Sequence, residues 1–351
     1  MQKSHAPEKP AKKKSITSNG KSEAKPAKKT ETKRAATSNT AANNEHPENK
    51  SWVGKIPHIE PGLYSDGLPY PDFNYLAFKL ILKPNRFVSR DSLFDFAKVI
   101  KAPAAEHGVS YNIQNYIDAP TKIREIIFID TDDFRLYNNS FILRRRITYV
   151  NGFPEGDPEI VFKFRNADLQ KTAETDVRPQ IQGDYQVKFK CQVLPLKEKL
   201  GGIRILYSNN VQFPRKNVTQ SDALSFDVIS EVFPALQALK QKDGERINLV
   251  NNAIVEEVLQ DICLLDFGDG LTAKANVGIW RTRGEHRPLI GEFAYQIKFK
   301  DRRELTREAM QRAEAFFLAL QYSAKDWMAL NATKTGVVYR LLGNPPNKSN
   351  E

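Results

Sequence analysis

Between residues 74 and 83 apolar and polar side chains alternate. Leu76, Phe78, Leu80 and Leu82 fall on one face, and Tyr75, Ala77, Lys79, Ile81 and Lys83 on the other. A period of two marks a β-strand with two different faces. The same reading predicts strands at 123–129, 141–150, 159–165, 185–193, 203–213, 271–280 and 290–300, eight in all. Asp130, Thr131, Asp132 and Asp133, then Asn138, Asn139 and Ser140, read as turns, because Asp and Asn bond to their own backbone. Gly152, Pro154, Gly156 and Pro158 predict a break before 159. Helical spacing appears after Asp91, read as a cap before Leu93, Phe94, Ala97 and Ile100. It recurs at 222–241 (Phe226, Ile229, Phe233, Leu236, with a kink at Pro234), at 245–263 (Ile247, Val250, Ile254, Val258, Ile262) and at 302–322 (Leu305, Ala309, Ala313, Phe316, Leu320). Consecutive strands with short polar breaks argue for hairpins rather than β-α-β crossovers.

The cations inside the strands change the picture. Arg144 and Arg146 share one strand face, as do Lys163 and Arg165, and Lys188 and Lys190. Lys79 lies opposite the apolar row of its strand. Glu292, Ala294, Gln296, Lys298 and Lys300 lie opposite Phe293, Tyr295, Ile297 and Phe299. A solvated sheet face usually mixes signs, and an ordinary solvated face is the competing explanation. Three nearly all-cationic rows repel one another unless an anion or interleaved carboxylates sit between them. That favours a concave phosphate-binding surface, for which Arg offers bidentate contact and Lys a point charge.

Composition sets the outer limits. The chain has 351 residues, with 53 Lys and Arg against 42 Asp and Glu, a formal charge of +11. Of that, +7 belongs to residues 1–50, which contain a single large aliphatic residue, Ile16, and no aromatic. Residues 1–55 are therefore expected to form a disordered basic tail, and 56–345 a single folded domain. The tail's Lys12–Lys14 and Lys28–Lys29 runs suit nucleic acid or an anionic membrane, although a solubilising tail is the plainer account. No apolar run is long enough to span a membrane. Cys191 and Cys263 are too far apart in sequence to suggest a zinc ribbon or a disulfide scaffold, and they fit a cytoplasmic protein. No histidine spacing or nucleophile motif suggests a familiar catalytic centre. Asp266-Phe267-Gly268 lacks the other kinase motifs and reads as a hairpin turn. His286 reads as an exposed loop residue, and Tyr75 as a packing residue beside the basic face.

Residues 126–146, IIFIDTDDFRLYNNSFILRRR, resemble the segment of the CYTH-like, or triphosphate tunnel metalloenzyme, superfamily that runs roughly YYDTxDxxLxxxxxxLRxR. The matching positions are Asp130-Thr131, Asp133, Leu136, Leu143-Arg144 and Arg146. Val161-Phe162-Lys163 resembles the family's strand ending in a ligand lysine. The resemblance implies an α+β fold, an eight-stranded antiparallel barrel forming a tunnel with helices outside. It also implies a triphosphate or polyphosphate ligand, inorganic or nucleoside, with Mg or Mn as the metal in many members. The family's first strand carries E-x-E-x-K, where this chain has Tyr75, Ala77 and Lys79. Its late E-x-E-x-E is here Glu292, Ala294 and Gln296. The phosphate set is thus Lys79, Arg144, Arg146, Lys163, Arg165, Lys188 and Lys190, and the metal set shrinks to Glu292 with Asp176. Two functions follow: polyanion binding with catalysis weakened or lost, or a metal-dependent triphosphate phosphohydrolase using Glu292, Asp176 and an acid such as Glu159. A third is nucleic-acid binding through the tail.

Overall fold

The computed structural model describes residues 56–217, 225–239, 244–343 and 346. The expected tail, 1–55, lies outside the described residues. Among the described residues eleven strands run in chain order: β1 (Tyr75–Leu82), β2 (Ser110–Asn112), β3 (Lys122–Asp130), β4 (Phe141–Val150), β5 (Phe153–Asn166), β6 (Gln186–Pro195), β7 (Ile203–Pro214), β8 (Asn248–Leu249), β9 (Val255–Asp266), β10 (Thr272–Thr282) and β11 (Pro288–Lys298). Nine of them close a barrel in the order β9-β10-β11-β1-β6-β7-β5-β4-β3, with β3 pairing back onto β9. The short β2 and β8 add to β9 and β3 outside the ring. Six α-helices accompany them among the described residues: α1 (Arg90–Glu106), α2 (Arg135–Asn138), α3 (Leu169–Glu174), α4 (Phe226–Val232), α5 (Arg307–Ser323) and α6 (Lys334–Tyr339).

The barrel is nine-stranded and mixed, not eight-stranded and antiparallel. All eight expected strands are present, and the ninth is β9, whose sequence reads as a helix. Its pairing with β10 passes from Ala275↔Cys263 to Asn276↔Asp261, which leaves Ile262 as a bulge. A bulge shifts the alternation by one residue. The outward apolar positions Val258, Ile262 and Leu265 then recur at spacings of four and three, which imitates a helix. Strand directions cannot alternate all the way round a ring with an odd number of members, so at least one pair must be parallel. That pair is β1 and β6, which lie side by side with Tyr75 opposite Lys190 and Ala77 opposite Gln192. No hairpin joins these two strands, so no turn dictates their relative direction.

Three smaller expectations also change. Helix α1 is capped by Ser89, not Asp91: Ser89 Oγ accepts from Ser92 N, and Ser92 Oγ accepts from Ser89 N. The glycines and prolines at 152–158 do not break the sheet. The β4–β5 turn falls at Asn151-Gly152, both at positive φ, and β5 continues through Gly156. Pro234 ends α4 rather than kinking it, and a short 3-10 turn, Pro234–Ala238, follows. The helix expected over 302–322 forms as α5, starting at Arg307 after a 3-10 turn at Arg302–Glu304, and Asp266-Phe267-Gly268 begins the β9–β10 turn.

The apolar rows face outward, under the helices. One core joins Leu76, Phe78, Leu80, Phe293 and Tyr295 of the barrel to Phe96 and Ile100 of α1 and to Phe316, Phe317 and Leu320 of α5. A second joins Phe141, Phe162, Phe164 and Phe213 to Phe226 and Ile229 of α4 and to the Phe233 ring, which stacks on Phe162 at 4.1 Å. A third fills one end of the barrel interior, where Ile81, Ile126, Phe128, Ile142, Val255 and Trp280 meet Val338 and Tyr339 of α6. Tyr339 stacks on Tyr137 at 4.2 Å and donates its hydroxyl to Asp130 Oδ2 at 3.0 Å. Asp130 also accepts from the backbone N–H groups of Thr131, Leu136 and Tyr137. It thus ties α2 and α6 to the end of β3, the structural role expected of the acidic turn.

Asp130→Ala leaves three buried N–H groups without their acceptor and is expected to cost about 3 kcal/mol, against about 1 kcal/mol for Tyr339→Phe. Urea unfolding of the two variants measures the difference. Equal, small losses would contradict this role for Asp130.

Candidate functional site: a basic cavity inside the barrel

The residues that face the barrel interior are fixed by register. Lys163 sits opposite Asn210, Arg165 and Lys190 both face Ser208 from either side, Lys79 faces Ala294, and Arg124 faces Glu257. Directly opposed residues share a face, so these side chains converge on one cavity of about 600 Å³. Among the described residues it is lined by eleven basic side chains and three carboxylates, an excess of eight basic groups. Six of the seven expected phosphate ligands are among them: Lys79, Arg144, Arg146, Lys163, Arg165 and Lys190. Lys188 occupies the next inward-facing position of β6 toward the mouth. It is half-buried and lies outside the lining.

Lys122, Arg124, Lys274, Lys298 and Lys334 complete the basic set. Lys122 and Arg124 were readable as an alternating pair on the β3 strand, and Lys274 on β10. Lys334 carries no strand signal, because α6 brings it in. Glu257 and Asp261 were hidden by the helical reading of β9.

The charges are sorted by wall. On the β9–β11 wall every carboxylate is held by cations. Asp261 Oδ2 lies 2.8 Å from Lys122 Nζ and 2.6 Å from Lys274 Nζ. Glu257 takes Arg124 on Oε2 at 2.6 Å, and on Oε1 both Lys334 at 2.9 Å and the Trp280 indole N–H at 2.8 Å. Glu292 Oε1 lies 2.8 Å from Lys334 Nζ, and Oε2 is 4.0 Å from Lys79. Burial alone would raise the Glu257 pKa, but Lys334 and Arg124 outweigh it and hold the carboxyl well below the usual range.

The β4–β5–β6 wall has no such balance. Arg146 pairs with Glu159 across the strands. Arg144, Lys163, Arg165 and Lys190 have no ion-pair partner among the described residues. Arg144 Nε and both Nε and Nη2 of Arg165 are buried donors without an acceptor, an arrangement that natural proteins rarely tolerate. Burial first, then repulsion from Arg144, Arg165, Lys79 and Lys190, pushes the Lys163 pKa well below the ordinary lysine value. Burial and the charges of Lys79, Lys188, Arg144 and Arg146 bring Lys190 down to about 7. Burial and Arg146 bring Arg144 to about 10. Within this wall, on β7 between β5 and β6, stand neutral Ser208 and Asn210. At the mouth, the ring of Tyr75 lies 5.2 Å from Lys190 Nζ.

The expected metal pair does not come together. Asp176 lies between α3 and β6, gripped by Arg178 at 2.6 and 2.8 Å, and lines a separate cavity of about 880 Å³ outside the barrel. Glu159 is taken by Arg146. Among the described residues no cluster of three or more His, Cys, Asp or Glu side chains could hold a metal ion. A hard divalent cation needs several free oxygen ligands, whereas the carboxylates of this cavity already face ammonium, guanidinium and indole donors. The donor set does not fit Mg or Mn. His286 is exposed in its loop, and Cys191 and Cys263 are buried free thiols.

No protein-family model matches the chain, and no curated protein matches it. Solved structures similar to it include a candidate adenylyl cyclase from Hippeastrum described as having a dominant triphosphatase activity, with 10% identity, 77% of this chain and 96% of that one covered, and a TM-score of 0.35. A candidate adenylate cyclase from Bacillus halodurans gives 12% identity, 75% and 95% coverage and a TM-score of 0.33. A protein of Pyrococcus horikoshii gives 12%, 74% and 96%, with a TM-score of 0.31. Scores and identities this low carry no functional argument. What the geometry itself defines is a closed β-barrel with an inward basic lining and an outward apolar face, the arrangement the sequence resemblance implies, in a nine-stranded form.

The depressed lysines set a pH dependence. Below pH 7 the charged form of Lys190 is penalised in full in the fold. Between about 7 and the unfolded lysine value of about 10.4 the unfolded chain holds the proton that the fold has released, so stability rises with pH. The ligand-free protein is expected to melt at a higher temperature near pH 9 than near pH 6.5, and Lys190→Met is expected to reduce the gain. Thermal unfolding across that range checks both. A falling profile would contradict the crowding of these cations.

Proposed function

We propose that the barrel cavity binds a linear polyanion, a triphosphate, polyphosphate or the triphosphate of a nucleotide, and that catalysis on it is weakened or lost. The observation that carries this reading is the set of buried, unpaired donors on the β4–β5–β6 wall. Among the described residues Arg144, Lys163, Arg165 and Lys190 lack carboxylate partners, and the Arg144 and Arg165 guanidinium groups keep N–H bonds with no acceptor. Phosphate oxygens supply the missing acceptors and remove the mutual repulsion. Proton uptake accompanies binding, because an anion favours the charged form of Lys163 and Lys190. Binding by itself does not accelerate a reaction, and the carboxylates a metal would need are engaged elsewhere. The nucleic-acid reading depends on the basic tail, which lies outside the described residues, and nothing in the barrel favours it.

Calorimetric titration with tripolyphosphate in EDTA tests the reading. One site per chain is expected. Arg144→Ala and Arg165→Ala are each expected to weaken binding ten- to a hundredfold, since a charge-assisted hydrogen bond contributes about 1.5–3 kcal/mol. Lys188→Ala, at the mouth, is expected to change affinity by less than about fivefold. Phosphate release on addition of Mn²⁺ would instead support the metal-dependent phosphohydrolase, and absence of binding would discard both.

A further inference from the structure

The interior cluster around Lys334 is built unlike the rest of the cavity. Residues 327–332 are seated on the barrel end by backbone bonds, Lys83 N to Trp327 O at 2.7 Å and Ala329 N to Ile81 O at 2.9 Å. Thr333, itself buried, then caps α6 by accepting from Gly336 N. Val338 and Tyr339 lock the helix into the apolar end, and Asn251 Nδ2 donates to Val338 O at 2.7 Å. These anchors leave Lys334 pointing inward, where its ammonium lies between Glu257 Oε1 and Glu292 Oε1 at 2.9 and 2.8 Å and 4.8 Å from the Trp280 ring.

Glu257 and Glu292 come from β9 and β11, on either side of β10. Two buried carboxylates converging on one point repel each other unless they share a proton or a cation stands between them. A divalent metal can fill that place, with its remaining ligands from water or phosphate. Here a covalently attached cation fills it, and Arg124 and Lys79 flank it.

We propose that Lys334 is a resident counter-cation. Its ammonium holds Glu257 and Glu292 in place of a divalent metal ion, so the cavity keeps its acidic pair assembled, and its binding of polyphosphate independent of metal, through the C-terminal helix. Only the second half of this statement rests on the polyanion reading above. Burial opposes the charge on Lys334, but Glu257 and Glu292 outweigh it and hold its pKa above the usual lysine value, so it stays an ammonium throughout the physiological range. Removing it leaves Glu257 Oε1 and Glu292 Oε1 without the ammonium they share, while Arg124 and Lys79 stay on the two Oε2 atoms, and the vacated point between the Oε1 atoms is the place a cation would take.

The test titrates the full chain with MnCl₂ alone and follows water-proton relaxation, with no phosphate present. Wild type is expected to show no saturable Mn²⁺ binding below about 1 mM. Lys334→Ala is expected to gain a saturable site that Glu292→Gln on the same background abolishes, and Lys334→Arg is expected to gain none. Saturable binding in wild type that Glu292→Gln removes would overturn the proposal, as would a folded Lys334→Ala that gains no site. Should Lys334→Ala fail to fold by circular dichroism, recovery of folding in Lys334→Arg supports the resident-cation role, and failure of Lys334→Arg to recover it overturns that role. Tripolyphosphate affinity in EDTA is measured separately, so failure of the polyanion reading leaves the Mn²⁺ comparison standing.

Discussion

Repulsion between like charges held inside a poorly solvated barrel is the constraint around which this protein is organised. Inward residues two apart on a strand are roughly 7 Å apart, and at an effective dielectric of 20 two unit charges at that spacing repel by about 2 kcal/mol. Arg144 and Arg146, Lys163 and Arg165, and Lys188 and Lys190 each form such a pair. Barrel closure forbids these strands from splaying to relieve the strain. The stabilising counterweight lies outside, where the apolar rows pack under α1, α4 and α5. The usual arrangement, apolar within and polar without, is inverted over most of the barrel. It returns only at the end closed by Val338 and Tyr339.

The two walls answer that constraint differently. On the β9–β11 side, three carboxylates interleave with Lys122, Arg124, Lys274 and Lys334, and most of the charge is offset locally. On the β4–β5–β6 side the cations face one another across Ser208 and Asn210 with little to offset them. The first wall is nearly satisfied, with Arg124 Nε its one buried donor lacking an acceptor among the described residues, whereas the second keeps three such donors on Arg144 and Arg165. The difference traces to strand composition: β9 and β11 bring Glu257, Asp261 and Glu292, whereas β4, β5 and β6 bring Glu159 as their one nearby acid.

Much of this was legible in the sequence. Alternation places Lys79, Arg144, Arg146, Lys163, Arg165 and Lys190 on the faces that turn inward, because a strand's two faces are fixed by its period whatever its partners. The pairing of strands was not legible. Nothing local tells β1 that it will lie beside β6, and one bulge at Ile262 was enough to disguise β9. With that strand went Glu257 and Asp261, so the acidic wall and the parity of the barrel were lost together. Lys334 was out of reach for another reason. Its position depends on α6 docking against Asp130 and Tyr137, about two hundred residues earlier in the chain, and no period in the sequence encodes that contact. Asp176 shows the converse: an acid of the right type, drawn away by a neighbouring arginine two residues on.

The apolar plug at the α6 end has a topological consequence. A barrel stopped at one end is a blind sleeve, with Lys122, Lys274 and Lys298 exposed around its rim. A polyanion of the kind proposed above would enter terminus first and withdraw by the way it came. Whatever exceeded the depth of the sleeve would stay in solvent, beside the rim lysines.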